Sequence, residues 1–143
     1  MKKLVLGFGL LVLASSTGAQ TPQQVAEAAL RAAPVFDGHN DVPIQLRSRY
    51  DNVIGEFDFE DTTDTANEAK NQGVMHTDLG RLAQGRVGAQ FWSVYVSPAQ
   101  TEAEAVQQTL EQIDVTKRLV ARYPARLAMA YTAADVERAR KAG

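Results

Sequence analysis

Phe36-Asp37-Gly38-His39-Asn40-Asp41-Val42-Pro43 decides how the chain folds, together with the apolar run Pro34-Val35-Phe36 that enters it. The run reads as a short strand over Val35 to Asp37, with a turn following it. Residues i and i+2 of an extended segment project to the same side. The imidazole of His39 and the carboxylate of Asp41 are therefore expected to point at one spot beyond the strand's C-terminal end. A borderline cation such as zinc accepts both donor types. Gly38 is expected to free space where the backbone turns close to that spot. An H-x-D triplet is also common as a solvated loop pair, so the triplet alone leaves both readings open.

Upstream of this stretch, residues 1–19 have the pattern of a secretory signal peptide. Lys2 and Lys3 form a positive n-region, Leu4 to Leu13 an apolar h-region, and Thr17 and Ala19 stand at the small-residue cleavage positions. The apolar run is shorter than the ~20 residues that span a bilayer. The expected product is residues 20–143, exported to the periplasm or secreted, with no transmembrane segment after cleavage. The chain has no cysteine, which excludes both lipid attachment at a thiol and disulfide stapling. Its 15 basic residues fall to 13 without Lys2 and Lys3, against 17 acidic ones. That balance offers no basic face for nucleic acid.

Thr21-Pro22-Gln23-Gln24 opens a helix that Pro34 terminates. Beyond the motif, Pro43 to Tyr50 is expected to make a helical turn or two, with Arg47 and Arg49 on a solvated face. Asp51 to Gly73 is acidic and poorly periodic, a long excursion with a helix expected at Thr63 to Lys70; loops of that length are uncommon unless functional. Ala89 to Val96 gives the strongest strand signal, aromatic and β-branched, with Phe91 and Trp92 expected in the core. Ser93 and Tyr95 share one face with Ala89 and Phe91.

Thr101 to Glu104 forms a capping box, and the helix from Glu102 to about Arg122 sets Val106, Leu110, Ile113 and Val120 along one side. Leu127 to Tyr131 is expected as a short strand, and a last helix starts at Thr132-Ala133-Ala134-Asp135. The alternation of helix and strand predicts an α/β fold with parallel strands. The final helix has no further strand to pack on, so the fold is expected to be incomplete at Gly143.

The block Phe36 to Pro43, followed by Thr77-Asp78-Leu79-Gly80-Arg81-Leu82 through Val96 and by Thr109 to Asp114, resembles the membrane dipeptidase (renal dipeptidase-like) family. The resemblance covers Val35 to about Arg122. It implies the N-terminal part of a (β/α)8 TIM-like barrel, which needs ~250 residues to close. It further implies a zinc-dependent dipeptidase with two Zn2+ ions at the barrel mouth and a dipeptide as substrate, and leaves room for a homodimer.

By position, His39 and Asp41 are the first-strand metal ligands, and Tyr95 is the pocket-lining, substrate-binding tyrosine. The family's bridging glutamate and two further histidines would lie past Gly143. Ile44 stands where the family often has tryptophan, which alters one wall of the substrate pocket. The alternative is a non-catalytic fragment or interaction module with an incomplete metal site. His76 reads as a solvated histidine and Asp78 as a helix cap or turn residue rather than an acid catalyst.

Overall fold

Eight residues that scarcely touch solvent form the core: Val42, Leu46, Phe57, Phe59, Met75, Leu79, Val115 and Leu119. None lies on a strand. The computed structural model describes residues 19–67 and 71–143. The signal-peptide expectation therefore lies almost wholly outside the described residues. The elements run α1 (Pro22–Ala32), β1 (Val35–Asn40), α2 (Val42–Tyr50), a 3-10 turn (Ile54–Glu56), α3 (Leu79–Gln84), β2 (Val87–Trp92), α4 (Glu102–Arg122) and α5 (Ala133–Ala142). The chain is a mixed α/β structure in which β1 and β2 pair in parallel, Val35 opposite Val87 and Asn40 opposite Trp92.

Local signals place most of the helix ends. Thr21 with Gln24, Thr101 with Glu104, and Thr132 with Asp135 each close a reciprocal capping box, satisfying backbone donors that a helix start leaves open. Asp51 takes a left-handed conformation at the end of α2 (φ 48°), which a short polar side chain tolerates better than most. Gly88 is required by close approach: a Cβ there would stand 2.8 Å from the Pro34 ring. Gly38 is different. A Cβ at Gly38 would meet open space, so it lies inside an extended strand and is not making room for a turn.

The excursion between α2 and α3 supplies three of the eight core residues, Phe57, Phe59 and Met75. Phe57 and Phe59 are 1% and 0% exposed, and complete burial of such a side chain is worth about 1.5–3 kcal/mol. Their rings join Tyr50 on α2, Trp92 on β2 and Tyr123 after α4 in one aromatic chain, with centroids 5.1 to 6.4 Å apart. The backbone N–H of Phe59 donates to Tyr123 Oη at 2.9 Å. The expected helix over Thr63 to Lys70 is absent among the described residues. Thr63 and Asp64 form a turn, and Asn67 makes an antiparallel bridge to Gln72. Asp61 accepts from the N–H and hydroxyl of Thr63, a local bond that competes with helix formation.

Four further expectations are corrected. On α4 the buried side chains are Gln112, Val115 and Leu119, whereas Val106 and Leu110 are 56% and 60% exposed. The helix carries two apolar stripes, and the excursion packs on the one that also holds a glutamine. Strand β2 starts two residues earlier than expected and stops at Trp92, because Ser93 to Val96 have no strand neighbour along their length; only Ser93 still bonds across, to the Asn40 carbonyl at 2.8 Å. Trp92 packs against the core. Phe91 does not, and lies 64% exposed against Phe36 at 5.3 Å. Leu127 to Tyr131 is no strand, since no third strand is there to pair with it among the described residues.

One buried carboxylate ties the excursion to α3. Asp78, 2% exposed, is the N-cap of α3 and accepts from the N–H of Arg81 at 2.7 Å. It also accepts from the N–H of Thr62 (3.1 Å) and from Arg81 Nε (2.7 Å). The same guanidinium donates to Thr62 Oγ1 and to the Met75 carbonyl. Burial alone would push the Asp78 carboxyl up, but these donors together hold it below the usual carboxylate range.

A carboxylate whose folded pKa is lowered stabilises fully above its unfolded value, and the contribution is lost as pH falls through the folded one. Asp78→Ala in the full-length protein is expected to cost about 3 kcal/mol by denaturant unfolding at pH 7. Asp78→Asn should flatten the acid limb of the stability curve below about pH 4.

Candidate metal centre

His39 is the fifth residue of β1, and Asp41 lies one residue past the strand as the N-cap of α2. The strand is three residues longer than expected, so the pair forms at the strand-to-helix corner. His39 Nε2 and Asp41 Oδ1 stand 3.1 Å apart, and their side chains are 67% and 51% exposed. Two donors each 2.0–2.1 Å from one zinc ion at a tetrahedral angle would be about 3.3 Å apart. The two atoms are in direct hydrogen-bond contact, a separation also close to that of two donors on one ion, and both side chains are open to solvent. Among the described residues no group of three His, Cys, Asp or Glu side chains converges.

Asp41 is available because its neighbour does the capping. The Asp41 side chain makes no cap hydrogen bond; Asn40 Oδ1 accepts from the N–H of Val42 at 3.1 Å instead. Asn40 Nδ2 donates to Thr77 Oγ1 at 3.0 Å, which ties the corner to the segment ahead of α3. The carboxylate left over sits at a helix N-terminus, where the dipole favours negative charge.

Asp37 fixes the other donor. Its Oδ1 accepts from the N–H of His39 (3.1 Å), and its Oδ2 from Gln90 Nε2 (2.7 Å). Gln90 Oε1 accepts in turn from Trp92 Nε1 at 3.0 Å. The His39 N–H, and then the Gln90 amide, hold the Asp37 carboxyl below its ordinary value. It is an anion across the neutral pH range, two residues from the histidine it orients. Sequence reading missed Asn40, Asp37 and Gln90 as positioning groups. The Asp37 signal was present, since an Asp bonding the N–H two residues on is an Asx turn. The Gln90 contact joins residues on two strands and has no such local mark.

The pair opens into a cleft of about 420 Å³. One wall is α2, with Gln45 and Arg49; the other is the run Gly73 to Thr77. His76 is exposed, as expected, and lines this cleft. Arg49 is half-buried rather than on a solvated face: its Nε donates to Gln45 Oε1 and its Nη1 to the Thr65 carbonyl. Tyr95 lies three residues past the end of β2, is 55% exposed, and is not among the residues lining this cleft. Asp78 is the cap it was expected to be. No helix of the described residues is long and apolar enough to cross a membrane.

Residues 23–143 match the family model described as membrane dipeptidase (peptidase family M19). The chain is 40% identical over 116 residues to an uncharacterized dipeptidase of Schizosaccharomyces pombe, covering 73% of this chain and 26% of that one. It is 37% identical over 133 residues to dipeptidase ataJ of Aspergillus terreus, covering 87% and 30%. To human dipeptidase 3 it is 42% identical over 98 residues, covering 68% and 18%. The chain spans about a quarter of the length of the curated relatives it matches.

The division of labour at the corner is testable by thermal melts of the full-length protein without added metal. Asn40→Ala is expected to cost about 1 kcal/mol or more, through the lost cap and the lost Thr77 contact. Asp41→Ala should cost less than Asn40→Ala, because its carboxylate caps nothing.

Proposed function

The chain belongs to the membrane dipeptidase family, peptidase family M19, and from that premise we propose that the full-length protein hydrolyses dipeptides at a binuclear zinc centre whose first ligands are His39 and Asp41. The observation that carries this reading is the 3.1 Å approach of His39 Nε2 to Asp41 Oδ1 at the mouth of a substrate-sized cleft. The parallel pairing of β1 and β2, with the donors at the C-terminal end of β1, supports a (β/α)8 barrel. Functional groups collect at that end in such a fold. Residues 20–143 are the N-terminal part of it. Two protein ligands are one fewer than catalytic zinc usually takes, so the remaining donors come from outside the described residues.

Zinc, when bound, supplies Lewis-acid polarisation of the scissile carbonyl and a nucleophilic water at neutral pH. The chain's own residues hold and orient. Asp37 fixes the His39 backbone, and thereby the direction of its ring. Asn40 takes the capping duty and leaves the Asp41 carboxylate for the ion. The α2 wall and the Gly73 to Thr77 wall keep an extended dipeptide beside the pair. Tyr95, just beyond the end of β2 and exposed, contributes to the substrate pocket as the rest of the barrel closes over the strand ends. The signal-like residues 1–19 support export, to the periplasm or beyond the cell.

Metal analysis with a dipeptidase assay on the full-length protein tests this. His39→Ala and Asp41→Ala are each expected to reduce bound zinc and to lower kcat/KM at least about a hundredfold, since even second-layer partners of metal ligands cost 10–100-fold. Chelation should abolish hydrolysis of Ala-Ala, and added Zn2+ should restore it. Unchanged zinc content and unchanged hydrolysis in either variant would overturn the reading.

A further inference from the structure

One side chain on the inner face of α4 breaks the rule that its neighbours keep. Gln112 lies one turn before Val115 and two before Leu119, and is as fully buried as they are, 0% exposed. Its Nε2 donates to the Tyr95 carbonyl at 2.8 Å. Its Oε1 is buried with no hydrogen-bond partner among the described residues. An amide buried with one group unpaired opposes folding, whereas methionine would fill a similar space and need no partner. Side chains that work against stability in this way concentrate where a function needs them.

The amide holds the segment that runs on past the end of β2. The N–H of Ser93 bonds to the Asn40 carbonyl at 2.8 Å, so this segment leaves the sheet beside the corner that carries His39 and Asp41. The Tyr95 N–H donates to Ser93 Oγ at 3.2 Å, a bond within the segment. The Gln112 bond reaches Tyr95 from another element, 17 residues further along the chain. Gln108, one turn earlier on α4, accepts from Gln100 Nε2 and ties down the far end of the same connection. Residues at i and i+4 share a helix face, so two glutamines clamp the path from β2 to α4 from one side.

With its carbonyl held, Tyr95 keeps its side chain outward, 55% exposed. Two residues of extended chain carry it about 7 Å beyond Ser93, at the end of the strands where a substrate would meet the metal pair. A phenol offers an apolar body with a polar tip. On an untethered segment it would have to be ordered at each binding event, which weakens affinity. The buried bond supplies that order beforehand.

We propose that Gln112 is a positioning residue for substrate binding: through the Tyr95 carbonyl it fixes the phenol at the strand ends, and so governs KM rather than the chemical step. The proposal rests on the dipeptidase reading and deepens it. The test uses full-length, zinc-loaded protein. Gln112→Met is expected to keep its Tm and its bound zinc, and to raise KM for Ala-Ala about tenfold, the size of one lost contact, with kcat unchanged. Tyr95→Ala should raise KM likewise. The double variant should go no further than Tyr95→Ala alone, since both changes remove one interaction. Amide hydrogen exchange over residues 94–97 should quicken in Gln112→Met while that of α4 does not, a readout independent of turnover.

An unchanged KM in Gln112→Met or in Tyr95→Ala overturns the proposal. So do KM effects that multiply in the double variant, and so does exchange over residues 94–97 that stays at the wild-type rate. A Gln112→Met protein that fails to fold, or that loses Tm and zinc together with kcat, makes Gln112 a residue of the fold alone and overturns the proposal too. Any of these results beside normal wild-type hydrolysis sinks this inference and leaves the dipeptidase reading standing. If the wild type cleaves no dipeptide, the dipeptidase reading fails and this proposal falls with it.

Discussion

The buried Asp78 carboxylate is the constraint on which the rest of the architecture depends. It caps α3, binds the Thr62 backbone and pairs with Arg81, so one anion joins the excursion to the helix that leads into β2. Arg81 then reaches the Met75 carbonyl, which fixes the run that forms the far wall of the cleft. A charge this deep is stable only because its lone pairs are filled, since an unpaired buried carboxylate would take up a proton. The cleft thus inherits its width from a bonding cluster outside it.

The second clamp comes from α4. Arg118 and Arg122 donate to the carbonyls of Asn52 and Ile54, and Arg126 to the carbonyl of Leu79 and the carboxylate of Glu60. These cations run along and just past the end of α4, where they also complement the helix dipole. A segment rich in acids and short of periodicity is held in this way with its two phenylalanines inward. The sheet contributes little to that core. Phe36 and Phe91 pack on each other on an exposed face, and the apolar burial that stabilises the described residues lies at the C-terminal end of the strands, next to the His39 and Asp41 pair.

The candidate site follows from the same economy of roles. At the corner after β1, three consecutive polar residues divide three tasks: His39 and Asp41 face each other, while Asn40 between them caps α2 and bonds Thr77. The opposite parity of Asn40 turns its side chain away from the pair and toward the helix start. Asp37, again of matching parity, supports the histidine from behind through its backbone.

Much of this was legible in the chain itself, for a physical reason. Capping boxes at Thr21, Thr101 and Thr132, the cap at Asp78 and the pairing of His39 with Asp41 all act within four residues, where local geometry alone sets the outcome. The parallel α/β alternation was legible too, because hydrophobic period and breaker residues are local. Other features were not. Which of two apolar stripes on α4 is buried, where β2 ends, whether Phe91 is covered, and that Arg49 and His76 border one cleft with His39 and Asp41 all depend on partners tens of residues away. A sequence encodes which face of an element is apolar or charged; what comes to lie against that face is settled only when the excursion closes over α2 and Asp78 locks it there.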